Sequence, residues 1–184
     1  MKYTWMQTVS GVVFEPLRPE LSKIHIEDIA HALGMICRFG GMSKEFYSVA
    51  EHSVYVSLAC DPKDAMAGLL HDAAEAYVGD LIRPIKHQPE MAFYRDIEDW
   101  LLDTIFEKAG LPSGVGEQLL PASVKHADNS VLAAERDHPR IVGGATAPWA
   151  PLPMPAAVRF GMWSPAEAKQ VFLDRFDALG GVRF

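Results

Sequence analysis

The residues with the clearest potential for chemistry are an adjacent histidine and aspartate, His71 and Asp72, in the otherwise apolar stretch LLHDAAE at residues 69–75. A buried imidazole or carboxylate is costly unless a partner compensates it. At about 100° per residue on a helix, the Glu75 side chain projects between His71 and Asp72, about one turn further on. One imidazole and two carboxylates therefore converge on a small patch, and this pattern predicts a functional site.

Two more polar residues occupy predicted buried positions elsewhere in the chain. His52 lies on the inward stripe of one predicted helix, and Asp128 lies among the apolar positions of another. Two imidazoles and two carboxylates, with no cysteine nearby, suit a divalent transition metal such as Mn, Co, Fe, Ni or Zn. The spacing therefore predicts a metal site made by these two side chains and the His71-Asp72 pair, with open positions for water and a substrate oxygen.

The expected chemistry is hydrolysis at phosphorus. A metal in such a site lowers the pKa of its water and polarises a phosphoryl group. Glu75 is placed to handle the proton of that water or of the leaving group. Taken alone, His71-Asp72 could also be a buried histidine hydrogen-bonded to an aspartate without metal. The inward positions of His52 and Asp128 argue against that alternative.

The elements that must position these residues are helices. Helical periodicity dominates the chain and predicts an all-α fold of about six helices in one domain, residues 1–184. The predicted helices, each with an apolar face, cover residues 26–39, 48–60, 62–78, 91–109, 121–137 and 165–179. Residues 5–14, with Gly11 at a turn position, indicate a short hairpin or an extended arm. Residues 143–155 are rich in Gly, Pro and Ala and predict a surface loop.

Composition narrows the classes of partner and compartment. The 184 residues are 49% hydrophobic, which is enough to bury one substantial core, and the net charge of −7 argues against a nucleic-acid polymer as partner. Cys37 and Cys60 fit neither a zinc ribbon nor a disulfide framework and are expected to be free thiols. Apolar runs are too short for a membrane span or a signal peptide. We therefore expect a cytoplasmic protein.

The order His52, then His71-Asp72, then Asp128 resembles the H…HD…D signature of the HD-domain metal-dependent phosphohydrolases. The likeness extends to longer segments, which resemble small bacterial and phage members of the 5'-deoxynucleotidase type: CRF at residues 37–39, SVAEHS at 48–53 and LHDAAEAYVGDL at 70–81. Phage relatives that degrade deoxyadenosine triphosphate are also similar.

This resemblance covers residues 26–137, leaving residues 139–180 as a C-terminal loop and helix. It implies a helical bundle of the HD type that forms homodimers or larger homo-oligomers. Members with two metals carry additional histidine ligands between the HD pair and the last aspartate. His87 is the spare histidine near the site, and alone it is too little for a second metal. We therefore expect one metal.

The resemblance also implies a role for each matching residue. The ligands of the metal would be His52, His71, Asp72 and Asp128. Glu75 would be the catalytic carboxylate that positions or activates the attacking water, and Asp80 would lie beside the scissile group or the sugar. Arg38 would bind substrate phosphate. Lys86 falls where relatives use a lysine on the phosphate chain, with Arg83 as a helper. Phe39 replaces a tryptophan that helps to exclude a ribose 2'-hydroxyl, and it is smaller than that tryptophan.

Each of these roles has a simpler alternative. Glu75 could only hold a ligand histidine in place. Arg38 could be a charge at the C-terminal end of a helix, interacting with the helix dipole. Lys86 and Arg83 could be ordinary solvated loop cations. Asp80 could be a surface residue at a helix terminus or an N-cap.

The resemblance implies hydrolysis of nucleotides or deoxynucleotides, and we favour a 5'-nucleotidase acting on nucleoside monophosphates. A triphosphohydrolase that releases tripolyphosphate needs the same water, metal and cationic groups and is the nearest alternative. A non-catalytic, metal-containing module that binds nucleotides is the alternative of another class. The presence of Glu75 and Arg38 argues against such a module, because a sensor has no need of a carboxylate that handles water.

Overall fold

The computed structural model describes residues 4–112, 120–144 and 146–184. Within these ranges the chain forms eight α-helices and a two-stranded sheet. In chain order the helices are α1 (Ile26–Met35), α2 (Val49–Ala59), α3 (Ala65–Leu70), α4 (Glu75–Val78), α5 (Arg83–Lys86), α6 (Ala92–Lys108), α7 (Ala122–Asp137) and α8 (Pro165–Ala178). The predicted all-α fold is confirmed. None of the described helices is long and apolar enough to cross a membrane.

The predicted N-terminal hairpin is confirmed and is very short. β1 (Met6–Gln7) pairs antiparallel with β2 (Val13–Phe14), with Met6 opposite Phe14. Gly11 adopts φ +86° in the connecting turn, a conformation that glycine reaches without a steric penalty. Phe14 is fully buried and stacks on Tyr77, so the hairpin is anchored to the helical core next to α4.

Helix α2 is the central element of the core. Every residue from Val49 to Ser57 is buried, because α1, α3, α7 and α8 all pack against this helix. Ser48 caps this helix, since its side chain accepts a hydrogen bond from the backbone N–H of Glu51. His52 is fully buried, as predicted.

Helix α1 ends earlier than its apolar pattern predicts. The prediction extended it to residue 39, but the helix stops at Met35 and Ile36 is extended. Cys37 forms a β-bridge with the cap residue Ser48, and the Arg38 backbone N–H donates to the Tyr47 carbonyl. These long-range bonds tie the chain to the start of α2 in place of another helical turn.

The predicted helix over residues 62–78 is broken at the His71-Asp72 pair. A 3₁₀ turn over residues 62–64 leads into α3, and α3 ends at Leu70. Backbone N–H groups at residues 73, 75, 76 and 77 then donate to carbonyls three residues earlier, the pattern of a 3₁₀ helix. The Gly68 carbonyl, which a continuous helix would pair with the Asp72 N–H, accepts a hydrogen bond from the His71 ring. The pair therefore lies on a tight turn between α3 and α4.

Helix α5 was not predicted, because its stretch was interpreted as a loop, whereas α6, α7 and α8 follow the predicted boundaries closely. α6 and α7 lie within residues 91–109 and 121–137 as expected. α8 begins at a capping box, in which Ser164 and Glu167 each accept a backbone N–H from the other. The described residues of the 143–155 segment contain neither helix nor strand, as predicted for a loop. Both cysteines are free thiols, which was also predicted. Cys60 is buried, whereas Cys37 is only half-buried.

Candidate metal centre

A cluster of histidine and aspartate side chains lies where α2, α7 and the turn after α3 meet. His52 comes from α2, Asp128 from α7, and His71 and Asp72 from the turn. The His52 Nε2 atom lies 3.2 Å from Asp128 Oδ1 and 3.7 Å from Asp72 Oδ2. The His71 Nε2 atom lies 3.2 Å from the same Asp72 oxygen. The structure therefore brings together all of the residues that the sequence singled out as metal ligands.

Both imidazole rings direct Nε2 to the cluster because Nδ1 is engaged elsewhere. The His71 Nδ1 atom lies 2.9 Å from the Gly68 carbonyl oxygen, which can only accept, so this nitrogen carries a proton. The His52 Nδ1 atom lies 2.6 Å from Glu135 Oε1. Burial raises the pKa of Glu135, but Arg38 and His52 outweigh burial and lower that pKa, so the carboxylate accepts from His52.

The cluster could hold a metal ion. Ligand atoms of His52, His71 and Asp72 all lie within 4.8 Å of one another. Both Nε2 atoms are buried and have no hydrogen-bond partner in the part of the chain that the structure describes. A buried polar nitrogen without a partner is costly, and imidazole and carboxylate are donor groups that divalent transition metals prefer. The donor set therefore fits a metal, and Asp128 lies beside it as a further carboxylate.

The charges of the cluster favour a cation at its centre. Burial raises the pKa of Asp72, but the two histidines and Arg38 lower it well below its usual range. Burial also raises the pKa of Asp128, and the contact with His52 lowers it below its usual range. Burial and Arg38 lower the pKa of His52, but Glu135 and Asp128 raise it overall to about 9. Two ionised carboxylates therefore attract a proton or a metal to the Nε2 side.

Glu75 lies beside the cluster with a carboxyl group that is almost fully buried. Its Oε2 atom has no hydrogen-bond partner among the described residues. The Glu75 backbone N–H donates to the Asp72 carbonyl at 3.0 Å, so Glu75 follows Asp72 on a 3₁₀ turn. Burial and the charges of Asp72 and Asp80 raise the pKa of Glu75 well above its usual range. Such a carboxyl group readily takes up and returns a proton.

Asp80 follows α4 at the edge of the cluster and is half-buried. Burial raises its pKa, and the nearby Asp72 charge adds to that effect, whereas Arg38 lowers it. It does not cap a helix, because the residue before α5 is Ile82. The alternative that Asp80 is an N-cap is therefore wrong.

Arg38 is buried and carries its positive charge into the cluster. Its guanidinium lies 3.6 Å from Asp72 Oδ2 and 3.2 Å from Glu135 Oε2. Because α1 ends at Met35 and these two carboxylates bind the guanidinium, Arg38 is more than a charge at a helix end. Phe39 follows in a left-handed conformation with φ 57°, which costs a bulky residue about 1–3 kcal/mol. Its ring centroid lies 5.4 Å from the Arg38 Cζ atom.

Arg83 and Lys86, both on α5, are bound to carboxylates. Arg83 donates to Asp128 Oδ2 at 2.7 Å and to the Asn129 side chain at 3.0 Å, although its own side chain is half exposed. The Lys86 ammonium lies 3.0 Å from Glu98. Burial raises the pKa of Glu98 to about 7, although the charge of Lys86 acts in the opposite direction. The alternative of a solvated loop cation is therefore wrong for Lys86, whereas Arg83 is exposed to solvent and also paired with Asp128.

Glu135 is the functional candidate that the sequence analysis missed. It is fully buried on α7 and contacts both His52 and Arg38. The sequence does contain an indication of this position, because Glu135 lies two helical turns after Asp128 and therefore on the same face of the helix. Of the other histidines, His126 and His87 are exposed.

The fold and the cluster together define an all-α protein with a histidine–aspartate centre that could hold a metal. No family model matches the chain. It is 34% identical over 183 residues to the uncharacterized protein YfdR of Escherichia coli (strain K12), covering 98% of both chains. It is 36% identical over 136 residues to the uncharacterized protein RCAP_rcc00048 of Rhodobacter capsulatus, covering 69% of this chain and 66% of that protein. The chain belongs to the same family as YfdR.

Proposed function

We propose that this protein is a metal-dependent phosphohydrolase of the HD-domain type that hydrolyses nucleotides or deoxynucleotides. Its favoured reaction is 5'-nucleotidase action on nucleoside monophosphates. One observation carries the proposal: the buried Nε2 atoms of His52 and His71 meet the Asp72 carboxylate, and each ring is oriented by a hydrogen bond at Nδ1. Histidine ligands of catalytic metals are commonly oriented through their second nitrogen in this way.

The metal would be a single divalent ion such as Mn, Co, Zn, Fe or Ni, held by the four residues of the cluster. Asp128 would be the fourth ligand through Oδ1, with Oδ2 bound to Arg83. When bound, such an ion polarises a phosphoryl oxygen and supplies an activated water. We also propose a cytoplasmic homodimer or larger homo-oligomer, as the resemblance to the HD-domain family implies.

Glu75 is the residue proposed to move the proton. Its buried Oε2 atom lacks a hydrogen-bond partner among the described residues and is therefore open to a water or a leaving group. The raised pKa of its carboxyl group suits a group that accepts a proton and later gives it back. Asp80 lies close enough to influence that pKa and would contact the sugar or the scissile group.

The cations around the cluster favour a substrate with one phosphate. Arg38, Lys86 and Arg83 are each bound to a protein carboxylate. A triphosphate carries a higher negative charge and needs several cations that are not already neutralised. A monophosphate needs fewer, and Arg38 faces the cluster itself. Phe39, beside Arg38, would contact the sugar.

Turnover of a nucleotide panel tests the proposal. Purified protein is loaded with Mn, Co, Ni or Zn and assayed against ribo- and deoxyribonucleoside mono- and triphosphates, with phosphate and tripolyphosphate measured separately. We expect phosphate release from monophosphates that stops when the metal is chelated. Tripolyphosphate release would point instead to a triphosphohydrolase. Binding of metal and nucleotide without turnover of any substrate in the panel would indicate a non-catalytic module.

A further inference from the structure

A buried carboxylate on α7 binds three side chains that the sequence separates widely. Glu135 is fully buried. Its Oε1 atom lies 2.6 Å from His52 Nδ1 and accepts the Tyr47 hydroxyl at 2.8 Å. Its Oε2 atom accepts an Arg38 N–H at 3.2 Å. One carboxylate therefore contacts both a proposed metal ligand and the proposed phosphate-binding cation.

We propose that Glu135 is a positioning residue that couples the metal centre to the anion-binding Arg38. The inference rests on the proposed function for the identity of the anion, but its metal-binding part can be tested alone. Through Oε1, Glu135 holds the His52 ring so that Nε2 faces Asp72 and Asp128 in the cluster. Through Oε2, it holds the Arg38 guanidinium where it also reaches Asp72, at 3.6 Å.

The chemistry of the contacts requires a charged group with this reach. A carboxylate offers two acceptor oxygens, and here all three partners are donors. A glutamine would place an amide N–H₂ against at least one of these donors. An aspartate is one methylene shorter and would not span His52 and Arg38 together. Of the two carboxylates that bind Arg38, Glu135 is the nearer, at 3.2 Å against 3.6 Å for Asp72.

Burial alone does not explain these contacts, as a second buried glutamate shows. Glu51 is equally inaccessible and neighbours His52 in sequence. Its carboxylate accepts hydrogen bonds from the backbone N–H groups of Gly161, Met162 and Trp163, and it fastens the segment before α8 onto α2. Glu51 therefore has a structural role away from the cluster, and it supplies a matched control for Glu135.

The test compares Glu135→Gln with Glu51→Gln and Tyr47→Phe in the full chain. Mn²⁺ affinity is titrated first, with no substrate present, and inorganic phosphate affinity is then measured at saturating Mn²⁺. We expect Glu135→Gln to weaken Mn²⁺ binding about 10–100-fold, the usual cost of losing a group that orients a metal ligand. Phosphate binding should also weaken, because Arg38 loses its anchor. Tyr47→Phe, which keeps the charge, should change Mn²⁺ affinity by less than about threefold, and Glu51→Gln should not change it.

If Glu135→Gln binds Mn²⁺ as tightly as the wild-type protein does, the inference is overturned. Loss of metal affinity with unchanged phosphate binding would overturn the coupling. If Glu135→Gln does not fold, Glu135→Asp keeps the charge and must weaken at least one of the two affinities about tenfold, as expected for a lost orienting contact. Wild-type protein that binds no divalent ion would instead contradict the proposed function, so the two failures are distinguishable.

Discussion

The carbonyl oxygen of Gly68 accepts a hydrogen bond from the Nδ1 atom of His71 at 2.9 Å. Gly68 also packs tightly against the C-terminal end of α2. A Cβ atom at this position would lie 2.9 Å from the Cys60 sulfur and 3.2 Å from the Ser57 Cα atom. The same residue therefore allows two helices to pack closely and orients a proposed metal ligand, so packing and chemistry are linked at this point.

Gly68→Ala should impair both stability and metal binding. Alanine favours a helix by about 1 kcal/mol over glycine, but overpacking a tight contact typically costs about 1–3 kcal/mol, and here backbone atoms must move. We expect a net loss in the free energy of unfolding, measured by urea denaturation. We also expect weaker Mn²⁺ binding, because the carbonyl that orients His71 shifts.

Gly34→Ala is the matched control for that substitution. A Cβ atom at Gly34 would lie 2.8 Å from the Pro165 carbonyl oxygen, where α1 packs on α8. This variant should lose stability to a similar extent and keep the Mn²⁺ affinity of the remaining folded protein. Equal metal affinities in the two variants would contradict the role of the Gly68 carbonyl.

Glu75→Gln should strongly reduce turnover and leave metal binding intact. Removing a general acid–base typically lowers the rate about 10²–10⁴-fold, and Gln has nearly the same shape. Because the pKa of Glu75 is raised by burial, a neutral amide should not lower the free energy of unfolding. The measurement is kcat at saturating metal, together with Mn²⁺ affinity and a thermal melt. Native kcat in this variant would exclude Glu75 from proton transfer and favour the alternative that it only holds a ligand.

Binding of a divalent metal should stabilise the folded protein. At free Mn²⁺ about 100-fold above its Kd, linkage adds about 2.7 kcal/mol to the free energy of unfolding. For a chain of this size that corresponds to a rise in Tm of about 5–10 °C. Thermal melts with Mn²⁺ and with a chelator measure the shift. Asp72→Ala removes a proposed ligand and should reduce the shift strongly; a full shift in that variant would place the ion elsewhere.

Arg83→Ala should weaken metal binding although Arg83 is not a proposed ligand. Its guanidinium binds Asp128 Oδ2, which directs Oδ1 towards His52. Since the Arg83 side chain is half exposed, the effect should be modest, about 3–10-fold in Mn²⁺ Kd. Arg95→Ala tests the adjoining loop, since Arg95 donates to the Lys86 and Gln88 carbonyls without touching the cluster. A similar loss in both variants would attribute the effect to loop geometry rather than to Asp128.

Glu51→Ala should destabilise the C-terminal part of the fold. It removes the acceptor for three backbone N–H groups at residues 161–163, and each unsatisfied buried donor costs about 1–3 kcal/mol. Water can reach part of this segment, so we expect a loss of about 3 kcal/mol in total by urea denaturation. Hydrogen exchange should show the loss of protection concentrated in residues 161–163. A uniform loss of protection along the chain would contradict this role.

Sequence alone was sufficient for the features that local interactions determine. Ser48 and Ser164 mark helix starts through side-chain caps that need only the next turn of chain. The inward position of His52 follows from the apolar residues around it on α2. Helical periodicity also places Asp128 on the inner face of α7, beside the His52 ring. These predictions succeeded because spacing on a helix fixes which side chains share a face.

Tertiary contacts decided the remaining features. α1 stops at Met35 because Cys37 and Arg38 bond to the segment before α2, and the helix breaks at His71 because its ring takes the Gly68 carbonyl. Glu135 gained its partners only when α7 was packed against α2. Helix periodicity carries no information about which face meets which neighbour. The choice of partners for buried charges therefore came from the packed structure, since each buried charge must find a compensating group in three dimensions.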